Sequence, residues 1–308
     1  MENSVKKKKA LGVRRRNLFL TVLLAYPVIH FIIFYVCVNF NSVILAFQKY
    51  DADLNLSFAG FDNFVSIFKS FADGGSVFGR SIGNSLLFFF VTTILGFPLN
   101  MLFGFYLYKK TRGYSFIKFC VMIPSIVSGL VMALLFKFII TGPVKDVMMK
   151  FGWGSQSLLS NVNTVLGTMI FYTLWTGFSS SLIIYPNAMN AIDNEIVESA
   201  SLDGATELEE LWYITIPMIL PTISTFFITG TAGMLAFSGP LFAFYAYSAP
   251  SQAWTSGYYL FRSIMGPSTT LMNYPEAATA GLILTFVSFP LTMIVKKLFD
   301  KLGERLDY

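Results

Sequence analysis

Seven carboxylates crowd one short stretch of this chain: Asp193, Glu195, Glu198, Asp203, Glu207, Glu209 and Glu210. No Lys or Arg interrupts them. The single histidine, His30, lies far away in the chain, which excludes the usual two-histidine metal patterns and argues against a histidine-based catalytic triad. A one-signed acidic surface suits either plain solvation or docking against a basic partner. A second polar pattern lies just upstream. Thr173, Thr176 and Ser180 follow i, i+3, i+7 spacing and share one helix face, with Gly177 between them and Trp175 nearby. Two readings fit this stripe. Small and hydroxyl residues let membrane helices approach closely, and a row of hydroxyls can also line a passage for a polyhydroxylated solute.

The acidic cluster needs a rigid support, and its own residues supply one. Asp193 or Asn194 can accept the free backbone N–H groups of a short helix's first turn. Gly204 stands where that helix should stop, since glycine enters the left-handed region without a Cβ clash. Thr206 restarts a helix, with Glu209 three residues later completing a capping box. The expected unit is helix, tight turn, helix, with Ser199, Ala200, Ser201, Gly204 and Ala205 leaving room for another surface. Pro217 and Pro221 open the apolar segment that follows.

The rest of the chain is apolar. Of 308 residues, 55% are hydrophobic and 13% are charged, half the charge of a typical soluble domain, and the mean hydropathy is +0.62. The expected class is an all-α polytopic membrane protein of six transmembrane helices. The spans are placed at residues 17–38, 82–108, 116–140, 165–188, 214–237 and 277–294. The first carries Pro27, where a kink is expected, and His30, expected to be packed. It is too long for a signal-peptide core, and no small-x-small cleavage site follows. The division is a basic N-terminus over residues 1–16, a six-helix domain over 17–298 with the acidic loop at about 189–213, and a charged tail over 299–308. Cys37 and Cys120 fall in or beside apolar spans and suggest no disulfide.

Orientation follows the positive-inside bias. An even number of spans puts both termini on one side, with Lys6 to Lys9, Arg14 to Arg16, Lys109, Lys110, Arg112, Lys118, Lys296, Lys297, Lys301 and Arg305. The other side has fewer basic residues on longer loops. Both termini and the acidic loop are therefore expected in the cytoplasm. No G-x-x-x-x-G-K-[ST] loop is present, so the chain is not itself expected to hydrolyse ATP. Carboxylates are nearly absent from the spans, which argues against a carrier working through buried acids.

Glu198-Ser199-Ala200-x-x-Asp203-Gly204-Ala205, followed by Ile214-x-Ile216-Pro217 and Pro221, resembles the EAA loop of ABC-importer permeases. That pattern reads E-A-A-x-x-D-G-A and, further on, I-x-L-P; here Ser199 replaces the first Ala and Ile216 the Leu. Glu276-Ala277-Ala278 repeats the tripeptide without the Asp-Gly-Ala and lies on the opposite side. Ala46-Phe47-x-x-Tyr50-Asp51, Gly60-x-x-Asn63-Phe64 and Asn84-Ser85-Leu86 are similar to segments of sugar-type permeases, the last with Ser for Thr. The first of these segments also resembles the first of the two permeases such systems pair.

The resemblance implies an ABC type I importer permease fold in a bacterial inner or cytoplasmic membrane. Glu198, Ser199, Ala200, Asp203, Gly204 and Ala205 would couple to a cytoplasmic ATPase subunit. Thr173, Thr176, Gly177, Ser180, Gly230 and Met234 match positions lining the sugar cavity of maltose-type permeases, though Met234 stands where a polar residue is found there. The implied partners are a second homologous permease, two ATPase subunits that bind ATP and Mg, and an extracytoplasmic solute-binding protein. No cofactor is implied in this chain, and it would be a non-catalytic subunit importing a sugar or oligosaccharide. An importer of glycerol phosphates or peptides is the alternative. A secondary transporter without an ATPase would leave the capped acidic loop unexplained.

Overall fold

The computed structural model describes residues 2–51, 53–72 and 76–305. The chain divides into two units, Met1–Ser66 with Thr270–Leu282, and Ile67–Thr269 with Ile283–Tyr308.

In the first unit, helix α1 (Glu2–Phe31) continues through a π-helical segment (Ile32–Cys37) into α2 (Val38–Ala46). No Gly or Pro lies between Pro27 and Ala46 to stop it, so the apolar span runs to Ala46, beyond the expected end at Val38. Five residues past Pro27 the hydrogen bonding widens to π register. His30 packs by ring contact on Phe34, 4.7 Å away. A small antiparallel hairpin follows, β1 (Gln48–Tyr50) with β2 (Leu56–Phe58), Lys49 opposite Ser57. It adds two short strands to the expected all-α class. The similarity segments meet here. Asp51 Oδ1 accepts from the backbone N–H groups of Asp53 and Asn55 at 3.0 and 2.9 Å. Asn63 donates to the carbonyls of Ala46 and Gln48 at 2.9 and 2.8 Å. The rings of Phe47, Phe61 and Phe64 lie 5.2–5.7 Å apart. The Ala46 carbonyl, at the end of α2, also accepts from Thr279 at 3.1 Å.

Helix α3 (Asp62–Ala72) leads out of the first unit. In the second, α4 (Val77–Phe89), a π segment (Phe90–Leu95) and α5 (Gly96–Tyr108) make one apolar span of 32 residues. Ser76 caps it by accepting from the Gly79 N–H at 3.0 Å. Helices α6 (Tyr114–Ile126) and α7 (Gly129–Ile139) come next, then a π segment (Ile140–Val144) and α8 (Lys145–Lys150). The third expected span is not continuous. It is bent by 106°, because Val127 and Ser128 take extended backbone with ψ near 141 and 132°.

The fourth span is α9 (Val165–Met189), 25 residues long. Thr168, Thr173, Thr176 and Ser179 to Ser181 make it less apolar than the others. Short helices α10 (Asn194–Leu202) and α11 (Glu207–Glu209) form the acidic loop. A π segment (Glu210–Thr215), α12 (Ile216–Met218) and α13 (Leu220–Gly233) make the fifth span, which is also broken, by 69° at Ile219. Pro217 and Pro221 flank that break. Among the described residues, three of the four π segments have a proline within them or just after them: Pro98, Pro143 and Pro217. Proline removes one N–H from the ladder and crowds the carbonyl one turn back, so the register widens there.

Residues 239–275, between the fifth and sixth expected spans, hold α14 (Leu241–Tyr245), a 3₁₀ turn (Ser251–Ala253) and α15 (Ser256–Met265). Phe244 and Tyr258 from this region are fully buried among Phe136, Met169 and Tyr172. Lys137 donates to the Phe244 carbonyl. Helix α16 (Asn273–Glu304) runs without a break from the sixth span through most of the charged tail.

A second core cluster joins Met101 and Phe105 of α5, Tyr185 and Met189 of α9, and Leu211, Ile219 and Ile223. Gly104 lies at this contact, where a Cβ would sit 3.4 Å from the Tyr185 Cβ, an ordinary van der Waals distance. The six expected spans thus fall on three unbroken apolar stretches, two bent pairs and α9.

Candidate functional site

The acidic loop is built almost entirely from local hydrogen bonds. Asp193 caps α10, its carboxylate accepting from the Glu195 N–H at 3.1 Å. At the other end Gly204 takes φ +85°, with no atom within 4 Å of where its Cβ would be. The Ala205 N–H reaches back to the Ala200 carbonyl at 3.0 Å, and the Gly204 N–H to that of Ser201 at 3.2 Å. This is a Schellman turn, which satisfies carbonyls that a helix end would leave bare. It assigns a physical role to Ala200, Gly204 and Ala205 together. Ser199 donates to the Ile196 carbonyl at 2.9 Å.

The next helix starts with the expected capping box. Glu209 accepts from the Thr206 backbone at 2.8 Å and its hydroxyl at 2.7 Å, while the Glu209 N–H points at the Thr206 oxygen. These bonds, the backbone one first, hold the exposed Glu209 carboxyl below its ordinary range. Glu198 and Asp203 are exposed. So are the apolar tips Leu202, at 89%, and Leu208, at 61%. Local geometry therefore presents an acidic and apolar surface on a stiff turn.

Glu210 breaks the expected pattern. It is buried and pairs with Lys109 at 2.6 Å, so one acid of the cluster faces inward. Lys109 comes from the basic turn after α5, where Lys110 and Gly113 take φ of 50 and 81°. Its ammonium also lies 5.4 Å from the Phe105 ring centre. No local pattern marks this pair, because its members are 101 positions apart.

Three adjoining cavities of about 440, 220 and 380 Å³ lie within the second unit. Thr92 lines all three. Thr173 and Gly177 line the largest, with Asn100, Trp175 and Ser181. Thr173, Gly230 and Met234 line the smallest. Thr176 and Ser180 line none of the three. The Thr176 hydroxyl donates to the Tyr172 carbonyl of its own helix at 3.0 Å, and Ser180 is exposed elsewhere on α9. On α9 the lining stripe is Thr173, Gly177 and Ser181, at four-residue spacing, one step off the expected i, i+3, i+7 set.

Several lining residues lie outside the set that the sequence pattern picks out: Thr92, Thr93, Asn100, Ser181 and Thr229. Thr92 and Thr93 sit on the π segment before α5. Polar residues inside an apolar span are the available signal, but the π register that aims two adjacent threonines at one space has no simple sequence mark. Among the described residues, Asn100 Oδ1 is enclosed without a hydrogen-bond partner, and none of those lining these cavities is charged.

The segment similarities extend to the second span. Asn84 donates to the carbonyls of Gln252 and Trp254, both at 2.8 Å. Ser85 and Ser256 share a hydrogen bond of 2.8 Å. The small polar residues at the start of the span thus fasten the segment between α14 and α15.

Comparison with known proteins gives a consistent result. The family described as binding-protein-dependent transport system inner membrane component matches residues 93–308. The chain is similar to the multiple sugar-binding transport system permease protein MsmF of Streptococcus mutans, 28% identical over 218 residues, covering 70% of this chain and 73% of that one. The arabinooligosaccharides transport system permease protein AraP of Bacillus subtilis is 23% identical over 277 residues, covering 88% and 85%. The sn-glycerol-3-phosphate transport system permease protein UgpA of Shigella flexneri is 23% identical over 286 residues, covering 91% and 93%. Among solved structures, a chain of a bacterial ABC transporter involved in import of the acidic polysaccharide alginate has the same fold. Its TM-score is 0.78 at 22% identity, covering 95% of this chain and 99% of that one. With most of its length matched by the family and its apolar helices arranged as in that fold, the chain belongs to the binding-protein-dependent transport system inner membrane components and is a multi-pass membrane permease.

Proposed function

We propose that this permease carries a neutral sugar or oligosaccharide across the membrane as a non-catalytic subunit of an ATP-driven importer. The observation that carries the choice of solute is the cavity wall: threonine, serine and asparagine beside Trp175, Phe178 and Phe97, without a charged side chain. Such a wall offers hydrogen bonds and ring faces to hydroxyl-rich solutes. It offers no compensation to a phosphate, whose burial without a partner charge is costly. MsmF and AraP, named for sugar transport, support the same reading.

In this assembly a second homologous permease completes the path, and an extracytoplasmic binding protein delivers the solute. Two ATPase subunits bind ATP and Mg, and each permease offers one of them its acidic loop. The loop's exposed Glu198 and Asp203 meet basic groups, and Leu202 enters an apolar recess. Gly204 and the capping box keep the loop stiff enough to transmit force. Both termini and this loop face the cytoplasm, as the basic residues around them favour. The solved alginate transporter complexed with a pentasaccharide-bound periplasmic protein supports the delivery step by analogy of fold.

A glycerol phosphate importer is the second reading, favoured by the similarity to UgpA. Uptake by the purified assembly in vesicles separates the two. With the binding protein supplied, labelled neutral oligosaccharides should enter with ATP, and sn-glycerol 3-phosphate should not. Uptake of the phosphate alone would reverse the assignment.

A further inference from the structure

Lys109 and Glu210 have no part in docking as described above, because both are turned into the protein. The Lys109–Glu210 distance is 2.6 Å, with side-chain exposures of 23% and 8%. The surroundings are apolar. The ammonium faces the rings of Phe105 and Tyr108, and the next residue, Leu211, is fully buried against the cluster containing Met101 and Phe105. The second Glu210 oxygen, Oε1, is enclosed without a partner. A buried carboxylate in this setting depends on Lys109, the cation it meets among the described residues, since losing it would leave an uncompensated charge.

The pair joins two particular elements. Glu210 follows directly on the capping box of the acidic loop. Lys109 directly follows α5, whose Gly96, Leu99 and Asn100 line the 440 Å³ cavity. A single charge contact, backed by Leu211, thus connects the base of the loop to a helix of the cavity wall. We propose that Lys109 and Glu210 are a positioning pair that makes the loop and α5 move as one body, so that displacement of the docked loop reaches the cavity. This rests on the functional reading above for what moves the loop, and on geometry alone for the clamp.

The clamp can be measured by spin-label distances in the purified permease–ATPase assembly. Cys37→Ser and Cys120→Ser remove the two native thiols, both exposed. Labels then go on Tyr213→Cys, just after Glu210, and Leu102→Cys on α5, at two exposed positions. The intact pair should give one narrow distance distribution, unchanged between nucleotide-free and ATP–vanadate-trapped states. Lys109→Met should at least double its width in the trapped state, and Lys109→Arg should keep it narrow. Glu210→Gln should broaden it as Lys109→Met does, and it is the variant to read if Lys109→Met does not assemble. A wild-type distribution in both neutralised variants would overturn the proposal. So would Lys109→Arg as broad as Lys109→Met, since charge would then not be the cause. If no ATPase co-purifies with the parent, the functional reading fails. The distribution in the permease alone still tests the clamp: broadening in the neutralised variants supports it, and a parental width refutes it.

Discussion

The side-chain amide of Asn84 donates to the carbonyl of Trp254 at 2.8 Å, across 170 positions of the chain. The same amide serves the Gln252 carbonyl. One residue near the start of the second span therefore satisfies two carbonyls of a segment that has little regular structure of its own. The Gln252 bond is exposed and the Trp254 bond only partly buried, so Asn84→Leu should destabilise the purified permease by about 0.5–1.5 kcal/mol, the range for a typical intramolecular hydrogen bond. Thermal unfolding in detergent reads the effect. An unchanged midpoint would mean that water replaces the bonds at no cost.

The cavity assignment makes a contrast between near neighbours. Gly177 lines the 440 Å³ cavity and has nothing within 4 Å of its missing Cβ. Gly177→Leu should fill that space, leave assembly intact and cut uptake at least tenfold. Thr176→Val, one residue away, should leave uptake within twofold, because Thr176 lines none of the three cavities and its hydroxyl is spent on its own helix. Equal effects from both would remove the cavity from the path.

The capping box predicts a pH response with a definite sign. The folded Glu209 carboxyl is held below its ordinary range by the Thr206 backbone and hydroxyl. Its contribution is therefore complete above that range and is lost as pH falls through the lowered folded value. Hydrogen exchange at α11, corrected for the intrinsic effect of pH, should show full protection above the ordinary carboxylate range, a decline as pH falls through that range, and a levelling off only below the lowered folded value. In Glu209→Gln the protection should no longer follow this titration. Protection that levels off within the ordinary range would contradict the depressed value.

Much of the acidic loop is legible in the amino-acid sequence, for a physical reason. Asp193, Gly204, Thr206 and Glu209 act on backbone groups within a few residues, and such bonds follow from residue type and spacing. Apolar length places the spans in the same local way. The bends at Val127–Ser128 and Ile219 are not legible. A proline in an apolar run can be absorbed as a kink, a π register or a break, and only packing decides which. The Lys109–Glu210 pair is hidden by separation, and Glu210 looks like any other member of an acidic run. In α9 the difference between the 173/176/180 and 173/177/181 stripes is one step on a helix face, which depends on how α9 is rotated against α5.

Docking of an ATPase on the acidic loop can be read by co-purification from membranes. Gly204→Val forces a branched residue into the left-handed region, at a cost of about 1–2 kcal/mol, and Glu198→Lys reverses an exposed charge. With the native loop, an ATPase and a second permease should come down together. With both substitutions the ATPase should be lost while the second permease stays. An ATPase retained by the doubly substituted loop, or absent from both preparations, would show that the loop is not the docking element.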